Sequence, residues 1–169
     1  MAIILPVADD SDETYFNGKK IGGISNIAKI VRSYGIRKEF VKAGQENLIA
    51  VMVTDIKKDG GLIAGKPRII RFENIVATDT DTCVSLEKYW RFRLDLNATR
   101  TGSFETWNTN WAAIDLNDRE WGVIKPVSNW ESLGYNYDGV AWYRQHIFIP
   151  ESWRNSQIGM RLGTADDAG

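Results

Sequence analysis

Two polar loops carry aromatic side chains that could do chemistry. Trp107 and Trp111 lie within Glu105-Thr106-Trp107-Asn108-Thr109-Asn110-Trp111. Tyr135 and Tyr137 lie within Gly134-Tyr135-Asn136-Tyr137, with Asp138 next in the chain. A ring face packs against the C–H face of a pyranose, and nearby amides and carboxylates offer directional hydrogen bonds to hydroxyls. That pattern makes Trp107, Trp111, Tyr135, Tyr137 and Asp138 candidate residues for binding a sugar. The alternative is that the rings pack beneath their loops as a satellite core. Mutation separates the two: a platform ring replaced by alanine loses binding, whereas a core ring loses stability.

Other chemistry is weaker. Asp9, Asp10, Asp12 and Glu13 gather acidic oxygens at a strand end, which suits a structural calcium. The competing reading is a solvated corner whose carboxylates cap backbone amides. Asn17-Gly18 is read as a hairpin turn rather than a ligand. His146 is the single histidine and falls inside a strand pattern, so it is read as a strand-face residue, not a general base. Cys83 is the single cysteine and is read as a small buried or edge side chain; no internal disulfide can form. There is no Gly-x-Ser-x-Gly elbow, phosphate loop, zinc-ligand spacing or dinucleotide fingerprint. The chain is therefore expected not to be an enzyme, with no cofactor beyond that calcium.

Composition agrees with a folded binding or structural domain. The chain has 169 residues, 43% hydrophobic and 25% charged, and its 21 basic and 22 acidic side chains leave a net charge of -1. Such a balance offers nucleic acid no basic footprint and a membrane no polybasic patch. The longest apolar run, Ala2–Ala8, is far too short to span a bilayer. Met1-Ala2 leads into it with no basic stretch, so no signal peptide is expected. The unusual number is seven Trp, which with six Tyr and six Phe brings aromatics to 11%.

The elements that must position these residues are strands. Ala2–Val7 is an apolar run. Glu13–Phe16, Asn17-Gly18-Lys19 and Ile21 read as strand, tight turn and return strand, since Asn-Gly tolerates the positive φ of a type I′ turn. Gly35–Phe40, Asn47–Val53, Arg68–Phe72, Tyr89–Leu96, Ala141–Ile149 and Gln157–Leu162 also read as strands. In the fourth of these, Trp90, Phe92, Leu94 and Leu96 share one face, and Arg91, Arg93 and Asp95 the other. Trp142 and Arg144 should share a face, with Tyr143 opposite. Ser25–Tyr34 could hold a short helical turn. Many short strands with regular turns predict an all-β sandwich, and long connections favour a jelly roll over a meander.

A more specific signal comes from ordered segments. Trp90-Arg91-Phe92-Arg93-Leu94-Asp95 is followed by Trp121, Pro126 and Asn129-Trp130-Glu131. Tyr137-Asp138-Gly139-Val140-Ala141-Trp142-Tyr143-Arg144, Phe148-Ile149-Pro150 and Trp153 complete the set. They resemble the sugar-binding, galactose-binding-like jelly roll of family-two glycoside hydrolases and of sialate O-acetylesterase-like proteins. The remainder of that pattern resembles residues nearer the N-terminus. These are Asp12-Glu13-Thr14-Tyr15-Phe16-Asn17-Gly18, Arg32-Ser33-Tyr34, Asn47-Leu48-Ile49-Ala50-Val51 and Gly60-Gly61. Residues 1–78 thus match the family's C-terminal half and 82–169 its N-terminal half, joined by a linker at 73–81. The resemblance implies one β-sandwich domain over 1–169, with its halves in permuted order or cut out of phase from a tandem repeat. It also implies a parent protein that is secreted or periplasmic, with Asp138 facing a catalytic domain that this chain lacks.

Arg161-Leu162-Gly163-Thr164-Ala165-Asp166-Asp167-Ala168 resembles Ile4-Leu5-Pro6-Val7-Ala8-Asp9-Asp10-Ser11. Both copies would compete for one slot in a sheet, and an unpaired edge recruits a second chain. The expected function is a non-catalytic carbohydrate-binding or accessory module. The alternative is a structural domain fragment without a specific ligand, assembling into a homo-oligomer by strand exchange.

Overall fold

The computed structural model describes residues 11–25, 27, 30, 32–55, 61–62, 67–72, 83–101, 104–125 and 128–162. Fourteen strands run through them: β1 Ser11–Phe16, β2 Lys19–Ile24, β3 Ser33–Ile36, β4 Gln45–Thr54, β5 Gly61–Leu62, β6 Pro67–Phe72 and β7 Cys83–Ser85, then β8 Trp90–Leu94, β9 Thr99–Thr101, β10 Phe104–Thr106, β11 Gly122–Ile124, β12 Ser128–Asn129, β13 Val140–Ile149 and β14 Gln157–Leu162. The helical turns among these residues are short 3-10 pieces, none longer than Thr109–Ala112. No helix among them is long and apolar enough to cross a membrane.

Two antiparallel sheets form the sandwich. One has six strands in the order β11-β8-β13-β4-β1-β2, and the other four in the order β3-β14-β6-β7. The β1–β2 hairpin closes as its sequence demands: Asn17 and Gly18 take φ of 48° and 75°, which match the strand twist. Asn17 also ties the hairpin to β4, accepting from the Leu48 amide at 2.8 Å and donating to Asn47 Oδ1 at 2.8 Å.

Alternation decides what each face buries. Ile49, Val51 and Val53 of β4, Phe92 of β8 and Tyr143 and Ile147 of β13 point inward. They meet Tyr34, Ile36, Ile69, Ile158 and Met160 of the facing sheet in one interior. Strand β4, from residues 1–78, lies beside β13, from 82–169, over the full length of both. The two halves of the chain therefore share a core.

A second apolar layer lies on the other side of the six-stranded sheet. Tyr15, Ala50, Met52, Val140 and Trp142 form it, covered by Ala112, Trp121 and the half-buried Trp107, Trp111 and Leu116. This cover explains why β13 is buried continuously from Val140 to Gln145, where simple alternation predicts an exposed face. Trp142 and Arg144 do share a face, with Tyr143 opposite.

Three expectations need adjusting. The described residues between Ser25 and Arg32 are not helical. Arg32 Nη2 donates to the Ile27 carbonyl at 2.7 Å, so a side chain satisfies the backbone there instead of a helical ladder. The strand expected over Gly35–Phe40 stops at Ile36 and gives way to a 3-10 turn at Lys38–Phe40. Leu96 leaves the Trp90 face and is exposed, because β8 ends at Leu94 and the chain turns. The runs Ala2–Val7 and Gly163–Ala168 lie outside the described residues.

Candidate ligand-binding surface

Trp107 and Trp111 reach the outer face of the six-stranded sheet through the segment after β10. Trp111 meets Trp121 edge-on at 5.1 Å, and the Arg93 guanidinium lies over its ring at 5.1 Å. Arg144 holds the segment down. Its Nε donates to Asp118 Oδ2 at 2.8 Å, and its Nη1 donates to the Trp111 and Ala113 carbonyls at 2.5 and 3.0 Å. Arg144 is itself completely buried. These partners make the two tryptophans a lid over the outer layer, each leaving part of its ring to solvent.

Tyr135, Tyr137 and Asp138 come from the loop before β13, at the end of the sandwich. The Tyr135 ring packs on Phe92 at 5.1 Å yet stays 37% exposed. Tyr137 is half-buried against Trp130, and its hydroxyl donates to the Asp95 carbonyl at 3.1 Å. Gly139 makes that placement feasible: its φ is 158°, and a Cβ there would run into the Tyr137 ring. Asp95, buried after β8, also accepts from the Asn108 amide at 2.8 Å. The Trp107 loop and the Tyr137 loop therefore meet at one residue. The structure brings the Trp107 loop and Tyr137 together at Asp95, places Asp138 beside Asp55 and Glu131, and leaves Trp111 and Tyr135 on opposite faces of the six-stranded sheet.

Carboxylates gather in two places. Asp55, Glu131 and Asp138 each bring one oxygen within 4.8 Å of the others, with Asp55 buried and Asp138 exposed. Oxygens so arranged suit a hard cation. At the other cluster, Asp12 accepts from Arg32 Nε at 2.7 Å, from Tyr34 Oη at 2.9 Å and from Thr14 Oγ1 at 3.0 Å. Glu13 binds Lys20 and accepts from Tyr15 Oη. Asp12 and Glu13 are thus engaged by protein donors, while Asp9 and Asp10 lie outside the described residues.

His146 sits on the outer face of β13, with Nδ1 2.9 Å from Glu46 and Nε2 3.5 Å from Asp118. Cys83 lies in β7, the edge strand of the opposite sheet, so the two are not paired. Burial pushes its thiol up, opposed in part by the Arg68 charge, which works against a nucleophilic thiolate.

Sequence reasoning missed Asp95, Asp118, Asp55 and Glu131. Asp95 stood in the resembling segment but carried no signal of a junction. Glu131 also stood in a resembling segment, and nothing in the sequence linked it, Asp55 or Asp118 to their partners. Comparison with known proteins adds no relative: no family model, curated protein or solved structure matches the chain.

Proposed function

We propose that the chain is a non-catalytic carbohydrate-binding or accessory module. In this reading the fold is a galactose-binding-like jelly roll whose halves run in permuted order. The side-by-side pairing of β4 and β13 supports the permutation, since each half supplies what the other needs. The observation that carries the function is the loop end of the sandwich, where the exposed Tyr135 ring, Tyr137 and the open Asp138 carboxylate come from one loop. A ring with a free face beside oxygen acceptors matches a sugar's C–H face and hydroxyls.

A glycan array, followed by fluorescence titration with the sugars it selects, tests this. Binding should be weak, on the order of millimolar, because a shallow platform loses contact energy to ordering and desolvation. Tyr135→Ala and Asp138→Asn should each weaken it roughly five- to tenfold, with both variants still folded and the melting temperature of Asp138→Asn near that of the wild type. Chromogenic glycosides and acetyl esters should show no turnover. Absence of binding to every glycan would overturn the reading, as would turnover that Asp138→Asn abolishes.

A second reading, a structural fragment that assembles by strand exchange, has its own support. Strand β14 contains the start of the repeated segment and fills a central slot, between β3 and β6. The N-terminal copy, Ile4–Ser11, then has no claim on that slot in the same chain. Sedimentation should show a dimer or larger assembly that dissociates on dilution. A strict monomer at high concentration rules out exchange.

A further inference from the structure

The lower end of the six-stranded sheet holds a groove unrelated to the loop residues above. Pairing of β13 with β8 ends at Arg144 opposite Arg91, while its pairing with β4 continues to Ile149. The chain before Trp90 therefore peels away from β13, and the gap is a groove of about 350 Å³. Tyr89, 68% exposed, and Val123, 56% exposed, contribute an aromatic ring and an apolar wall. Lys88, Arg91, Arg144, Gln145 and His146 contribute the polar lining.

The lining includes no carboxylate. Among the described residues neither Lys88 nor Arg91 has an ion pair; the Arg91 guanidinium has only a long contact, 3.4 Å, to the Trp121 carbonyl. The acids nearby are already engaged, Asp118 by Arg144 and Glu46 by His146. The groove thus keeps two cations uncompensated. Gln145 is only 7% exposed, and its Oε1 has no hydrogen-bond partner among the described residues. Its Nε2 makes a marginal 3.5 Å contact to the Tyr89 carbonyl.

We infer that this groove binds an acidic sugar, a uronate-type pyranose carrying a carboxylate. The ring of Tyr89 takes the C–H face, and Lys88 and Arg91 take the carboxylate. This rests on the carbohydrate reading and adds the charge class of the ligand and a second place for it. Charge-assisted contacts of this kind weaken with salt, because the groove is open to solvent.

Calorimetric titration of the full chain with oligogalacturonate, and with its methyl ester as a neutral match, tests the inference. The acid form should bind at low salt, and the ester should bind at least about tenfold more weakly. Arg91→Gln, Lys88→Gln and Tyr89→Ala should each lose about tenfold for the acid form, and their melting temperatures should confirm that they fold. Equal binding of acid and ester overturns the inference, and so does wild-type affinity in both cation variants. Neutral glycans binding through Tyr135 while oligogalacturonate does not would end the groove proposal and leave the carbohydrate reading standing. No binding to any glycan would end both.

Discussion

Asp12→Ala is expected to cost roughly 3–5 kcal/mol of folding stability, read by urea unfolding, with a fall in Tm of roughly 10 °C. The Asp12 and Arg32 side chains are both fully buried, 2.7 Å apart. Alanine removes the carboxylate that the buried Arg32 Nε donates to, and it strips Tyr34 and Thr14 of their acceptor at the same time. Arg32 also holds the Ile27 carbonyl, and that contact should loosen with it. Asp12→Asn should be milder, since it keeps an acceptor. A loss below about 1 kcal/mol for alanine would mean that water reaches Arg32 and that this end of the sandwich is open.

The same group sets a pH dependence. Burial pushes the Asp12 carboxyl above the usual carboxylate range, against the pull of Arg32 and the Tyr34 and Thr14 hydroxyls. The folded state then holds the proton more readily than the unfolded state. Its contribution is fully present below the unfolded carboxylate value, near 3.9, and is lost as pH rises through the raised folded value. Wild-type stability relative to Asp12→Asn should therefore decline with rising pH over that window. An advantage that grows with pH would show that Arg32 outweighs burial.

Arg144→Leu is expected to produce a loss of similar size, about 3–5 kcal/mol, by leaving Asp118 poorly compensated and the Trp111 and Ala113 carbonyls without their donor. Its spectroscopic consequence differs. The lid over the outer layer should lift, and the native tryptophan emission should shift to longer wavelength as Trp107 and Trp111 enter water. Arg144→Lys should recover only part of the loss, since an ammonium cannot reproduce the fork that spans Asp118 and two carbonyls. Trp111→Ala should cost about 2 kcal/mol, less than a fully buried tryptophan, because its ring is half-buried. Native emission unchanged in Arg144→Leu would show that the lid is held by its own packing.

Much of the architecture was legible from local pattern. The Asn17-Gly18 turn, the run Asn47–Val53 and the alternation of Trp90–Leu94 all appear as strands and turn where residue type placed them. So does the division of Trp142 and Arg144 from Tyr143 across β13. The candidate site was legible only in part. Polar surroundings marked Trp107 and Trp111 as loop residues; Trp107 is one, Trp111 sits in the 3-10 turn Thr109–Ala112, and the pattern could not tell a free ring from one resting on a buried layer.

Period-two alternation and turn chemistry act between neighbours in the chain, so composition and order settled that the protein is a β-sandwich with one aromatic-rich half. Whether a polar side chain meets a partner depends on residues far away in sequence, brought close only when the sheets stack. Tertiary structure alone paired Asp12 with Arg32, covered the outer face of β13, joined two loops at Asp95 and opened the groove beside Tyr89. The physical reason is that burial and hydrogen bonding are properties of the packed layers, and a single strand's sequence records which face is apolar but not what will lie upon it.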